Sequence, residues 1–169
     1  MKRLDSEFFE RDVLEICPEL IGKVLVRKFN NDRIIRMKIT EIEAYRGEED
    51  LACHASKGRT ARTEVMYHRG GVVYVYLVYG IHWMLNFVTG KENEPQAVLI
   101  RSLECCEGPG RVSKLLELEK TFYGENLEFS ERIWVEDNDF IIPYITAPRI
   151  GIEYSGNIWK NKNWRYTIK

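Results

Sequence analysis

Five segments of this chain alternate apolar and polar residues with a period of two, and the breaks that join them in pairs are too short to hold a crossover. KVLVRKF (23–29) meets RIIRMKITEIEAY (33–45) across Asn30-Asn31-Asp32. VVYVYLVY (72–79) turns near Tyr79-Gly80 into IHWMLNFV (81–88), and KENEPQ leads on to AVLIRSL (97–103). Parallel neighbours need a connection of a dozen or more residues, whereas breaks of two to six residues join antiparallel strands. The pattern therefore predicts an α+β fold: a curved, mostly antiparallel β-sheet, open-barrel-like, with flanking helices and a β-hairpin over 72–88 that protrudes. At 169 residues and 44% hydrophobic content, a single compact domain over 1–169 is expected, burying roughly 70% of the surface its unfolded chain exposes.

The helices are fewer. Asp12 can cap VLEICPEL, where Val13, Leu14, Ile16, Cys17 and Leu20 form a stripe limited by Pro18 and Gly22. After Gly108-Pro109-Gly110, RVSKLLELEK spaces Val112, Leu115 and Leu116 along one side of a second helix. Short strands near RIWVE, FIIPYI and WRYTI finish the chain. The stretch Gly70 to Gly90 holds no Lys, Arg, Asp or Glu and is long enough to span a bilayer. Its β-branched and aromatic content, broken by Gly80, reads as a hairpin instead, and no membrane association is expected. Cys17, Cys53, Cys105 and Cys106 have neither metal-ligand nor disulfide-framework spacing, so they read as packing thiols in a reduced compartment: cytoplasmic and nucleoid-associated in a bacterium, nuclear in a eukaryote.

Net charge is −1 and makes no case for a polyanionic partner, but its distribution does. Residues 54–71 carry Lys57, Arg59, Arg62 and Arg69 against Glu64, and the last thirteen residues carry four cations and no acid. Residues 104–140 hold ten acids against four bases. A basic side that meets a polyanion fits these counts, as does a solvated loop with a free tail.

Two strands place charge among apolar residues. Counting by twos, Glu41, Glu43 and Tyr45 share the face that begins Ile35, Met37, Ile39, and Arg101 shares the face of Ala97, Leu99 and Leu103. An unpaired carboxylate is expensive to remove from water. Either a buried Glu–Arg pair fixes register, or the two line a solvent-linked pocket in which Arg101 keeps a carboxylate ionised and the carboxylate deprotonates a water. Tyr45 shares the Glu43 face, His54 follows nine residues later, and Tyr74 and Tyr76 share a face opposite to Tyr79. Such flat walls suit a nucleobase, whose stacking on an aromatic ring is worth roughly 1–3 kcal/mol, and equally suit cross-strand packing.

The block TEIEAYRGEEDLACHASKGRTARTEVMYHRGGVVYVYLVYGIHWMLNFVTG, together with FFERDVLEICPELIGKVLVR before it and AVLIRSLE, GPG, PRIGI and WRY after it, resembles the alkyladenine (3-methyladenine) DNA glycosylase family. The resemblance implies a monofunctional glycosylase that flips alkylated purines out of double-stranded DNA and leaves an abasic site, with no metal or other cofactor. A monomer is expected. Position by position, it implies that Glu43 is the general base, that Arg101 holds Glu43 and a water, and that the carbonyl of Ile150 is a further water contact. It puts Tyr45, His54 and Tyr76 around the extruded base, Asn86 against the amino group of a normal guanine, and Tyr79 in the gap left in the stack. Arg59, Thr60 and Arg62 would face phosphates. Glu41 matches none of these positions. A non-catalytic damaged-DNA-binding module and a purely structural domain are the rival readings.

Overall fold

The alternating segments pair as their turn lengths require. The structure, a computed structural model, describes residues 1–169. In chain order the elements are β1 (Lys2–Arg3), α1 (Ser6–Phe9), α2 (Val13–Leu20), β2 (Val24–Lys28), β3 (Ile34–Arg46), β4 (Val73–Val78), β5 (His82–Thr89), β6 (Gln96–Leu103), α3 (Pro109–Leu115), β7 (Ile133–Asp137), β8 (Tyr144–Ala147), α4 (Gly156–Lys160) and β9 (Arg165–Ile168). Every ladder is antiparallel. The strands run in the order β1-β7-β2-β3-β6-β5-β4, with β9 pairing β3 and β8, and the sheet does not close into a barrel. No helix is long and apolar enough to cross a membrane; the charge-free stretch forms the β4–β5 hairpin.

β3 is the spine. Its first half pairs with β2, and its second half pairs with β6 on one edge and β9 on the other. Strict alternation fails in both strands that carry the anomalous charges. Ile39 faces Leu103, Glu41 faces Ser102 and Ile42 faces Ile100, so β3 holds one extra residue at Thr40 and β6 one extra residue at Arg101. Ile39, Ile42 and Ala44 consequently share the main core with Val98, Ile100 and Leu103. This corrects the expected faces: Leu103 does not accompany Arg101, and Glu43 does not lie on the face of Ile39. Bulges re-aim side chains in this way. The acid has not been placed on the core face; that face changes phase before Glu43 is reached.

The core face is completed by Val73, Val75, Leu85 and Phe87 of the hairpin and by Val13, Ile16, Cys17 and Leu20 of α2. Each fully buried aliphatic side chain contributes about 1.5–3 kcal/mol. Asp12 caps α2 by accepting from the Leu14 N–H at 2.9 Å, and Gln96 accepts from the buried Val13 N–H at 2.8 Å. Pro18 lies within the helix and does not end it. The chain leaves at Ile21 and turns through Gly22 at φ +85°, where a Cβ would run into the Ile142 side chain. α3 starts and stops earlier than expected. Pro109 occupies its first turn, where its missing N–H costs nothing, and Glu117 at φ 50° turns the chain so that Leu118 returns to the core.

Candidate active site

Glu43 stands in the second half of β3, opposite Leu99 of β6 and Arg165 of β9, so its backbone is fixed on both edges. Its side chain is 0% exposed. Oε1 accepts from the Ile150 N–H at 2.8 Å and lies 3.4 Å from Nη1 of Arg101; Oε2 accepts from the Tyr45 hydroxyl at 2.8 Å. Burial raises the carboxyl above its usual range, against the pull of Arg101, the Ile150 N–H and the Tyr45 hydroxyl, and the Glu41 charge adds to the rise. An ionised carboxylate offers about four acceptor positions. Two well-formed hydrogen bonds therefore leave each oxygen one position for a further donor.

Arg101 reaches two acids. Nη1 faces Glu43, and Nε lies 3.6 Å from Oε1 of Glu41 with no hydrogen-bond partner. Glu41 is held by Arg165 Nη1 and Ser102 Oγ, each donating at 2.9 Å. Charges alternate along Glu43, Arg101, Glu41 and Arg165.

In front of this row opens a cleft of about 370 Å³, lined among others by Tyr45, His54, Tyr76, Asn86, Arg101 and Ile150. That is the size range of small-molecule sites. Glu43 stays one layer behind the wall that Tyr45, Arg101 and Ile150 form. His54 packs edge-on to Tyr76, with centroids 4.5 Å apart, and its Nδ1 lies 2.8 Å from the Tyr74 hydroxyl. Burial, with Arg62 and Lys57 nearby, lowers His54 to about 4, so it is a neutral ring at pH 7. Burial raises the Tyr76 phenol, which stays protonated. The Asn86 amide nitrogen donates to the carbonyls of Tyr74 at 3.2 Å and Met84 at 3.3 Å, which fixes the plane of the amide. The site is thus a row of neutral, flat groups in front of one acid and one guanidinium.

The outer residues divide. Tyr79 occupies the hairpin tip at φ 53° and is 91% exposed. Arg62 lies over the Tyr76 ring at 5.2 Å and makes no ion pair. Arg59 is paired with Glu64 at 2.6 Å, and Arg69 with Glu10. Thr60 is spent on its own turn, where its N–H donates to Thr63 Oγ1 at 2.9 Å. The basic loop is therefore less free than its composition suggests. Of the cysteines, Cys17 and Cys53 are buried, with Cys53 pushed up to about 12, whereas Cys105 is exposed and is not a packing residue.

One buried pair is not legible in the sequence. Arg149 and Asp50, both with fully buried side chains, bond at 2.5 and 2.9 Å, and Arg149 also donates to the Ala44 carbonyl at 2.9 Å. Its guanidinium sits between the rings of Tyr45 at 4.8 Å and Trp164 at 5.0 Å. Asp50 in turn accepts from the Arg46 and Ala52 N–H groups. This pair ties the segment of Ile150 and the segment leading to His54 to β3, behind the cleft. The signal was an acid within RGEED and an arginine within PRIGI, 99 residues apart; nothing local links them.

The sequence profile of the family described as methylpurine-DNA glycosylase (MPG) matches residues 7–108 and 104–169. A Psychrobacter cryohalolentis protein is 42% identical over 93% of this chain and 86% of its own length. One from Natranaerobius thermophilus is 38% identical over 99% and 96%, and one from Legionella pneumophila is 41% identical over 100% and 96%. All three are provisionally named 3-methyladenine DNA glycosylases.

Proposed function

This chain belongs to the methylpurine-DNA glycosylase family, and on that premise we propose that it is a monofunctional 3-methyladenine DNA glycosylase, acting on alkylated purines in double-stranded DNA during base excision repair. The observation that carries the mechanism is the Glu43–Arg101 approach at 3.4 Å directly behind an aromatic cleft. A damaged nucleotide swings out of the duplex, at a cost of a few kcal/mol that is least for a badly paired base. Its purine enters between Tyr45, His54 and Tyr76. Neutral rings suit a cationic base such as 3-methyladenine, since ring quadrupoles attract it and no protonated histidine repels it.

Water reaches Oε1 of Glu43 where Arg101 and Ile150, both on the cleft wall, converge on that atom. The C1′–N bond breaks with its electron pair passing to the purine. The water oxygen bonds to C1′, and its proton passes to Glu43. The products are the free base and an abasic deoxyribose. Burial makes Glu43 a stronger base than an exposed glutamate, and Arg101 favours its ionised form.

The test uses a duplex with one 3-methyladenine or 1,N6-ethenoadenine, incubated with the protein and then treated with hot alkali, which cuts only abasic sites. Wild-type protein gives the break; Glu43→Gln reduces its rate by about 10²–10⁴-fold while lesion binding persists. Full activity in this variant removes Glu43 as the base. The complete enclosure of Glu43 favours one second reading, a lesion sensor without turnover. Lesion-selective binding with no base release by the wild-type protein would establish it.

A further inference from the structure

Arg101 stands between two carboxylates and is fully engaged by neither. Its Nη1 is 3.4 Å from Glu43, its Nε is 3.6 Å from Glu41, and that buried Nε has no hydrogen-bond partner. A charge-assisted N–H···O bond to a carboxylate closes to about 2.7–2.9 Å when nothing opposes it. Something opposes it here on both sides. Glu41 cannot follow the guanidinium, because Arg165 and Ser102 hold its two oxygens and β9 holds its backbone opposite Thr167. We infer that Glu41 is a positioning residue for the base: it draws Arg101 off full contact with Glu43, so that Oε1 keeps an acceptor position for water.

This rests on the reading of Glu43 as base and adds a role for the second acid of ITEIEAY. Both bulges serve it, since the extra residues at Thr40 and Arg101 bring Glu41 and the guanidinium to the same level of the sheet. The groups acting on Glu43 are few. Arg101 comes from β6, Tyr45 and Glu41 from β3, Tyr76 from β4, and Tyr154 and the Ile150 N–H from the segments that close the cleft. Arg165 of β9 turns its guanidinium to Glu41 and to the Pro148 carbonyl. Among these, Glu41 acts on the base by its own charge and through the Arg101 position, Arg165 acts through Glu41, and neither lines the cleft that takes the purine.

Two substitutions then act with opposite sign. In Glu41→Gln the guanidinium closes on Glu43, which lowers the affinity of the base for a proton and takes up its free acceptor position. The acid limb of the excision rate against pH moves down by about one unit, and the plateau rate falls by about tenfold, with lesion binding unchanged. In Arg165→Gln, Glu41 loses its competing cation and pulls Arg101 further from Glu43, so the acid limb moves up. The experiment is a single-turnover pH profile of ethenoadenine excision for wild type and both variants, with Glu43→Gln as control and lesion affinity measured alongside.

Opposite displacements support the role; if one variant does not fold, the predicted sign in the other supports it. Limbs that stay in place, or that move the same way, overturn it and leave Glu41 a structural residue. An active Glu43→Gln control overturns the base assignment itself, which separates that failure from this one.

Discussion

At the scale of single residues the site depends on charges that have no water to fall back on. Asp50 and Arg149 are both fully enclosed, and removing one member of such a pair leaves the other buried without compensation. Asp50→Ala should therefore cost about 3–5 kcal/mol, read as a fall in the denaturant midpoint, and should abolish excision through loss of structure. A smaller loss, under about 1 kcal/mol, would mean that water enters and solvates Arg149. Glu43 was legible as an anomaly because an acid among Ile, Met and Ala needs a reason. Its partners were legible only in part. Tyr45, two residues along on the same face, could be read from alternation; the Ile150 N–H could not, because a backbone donor leaves no mark in composition.

At the scale of elements, pattern and turn length were sufficient for β2 to β6 and for α2, and insufficient for their phase. A period of two carries no sign of an inserted residue, so counting from Ile35 crosses the Thr40 bulge with the wrong parity, and counting from Ala97 does the same at Arg101. The short 3-10 turns over His54–Lys57 and Glu64–Tyr67 are too brief to show any period. The hairpin tip is legible because Tyr79-Gly80 interrupts two apolar strands. Because Tyr79 is almost wholly exposed, Tyr79→Ala should leave stability within about 0.5 kcal/mol. If its ring fills the gap left by a flipped base, as the family resemblance implies, the same change should nevertheless lower excision from duplex DNA by about tenfold or more. Excision from single-stranded substrate should fall much less. An equal loss on both substrates would show that the ring contributes to the pocket, not to the stack.

At the scale of the molecule, a net charge of −1 must still meet a polyanion. In the basic loop and the tail, Lys57, Arg62, Lys160, Lys162 and Lys169 carry no intramolecular ion pair, whereas Arg59 and Arg69 are already matched by Glu64 and Glu10. With about five cations of the loop and tail free for phosphates, the logarithm of affinity for undamaged duplex should fall with the logarithm of salt at a slope no steeper than about −4.5. A titration giving a slope near −6 would mean that the two matched arginines exchange their acids for DNA.

The two bulges cancel, since the ladder of β3 with β6 recovers its register by Ile42 and Ile100. A paired loss of Thr40 and Arg101 would mend the ladder and keep the core, yet delete the guanidinium outright. A descendant changed in that way would keep the register of its strands but leave Glu43 enclosed without a cation, so it would carry its buried acid at a cost in stability.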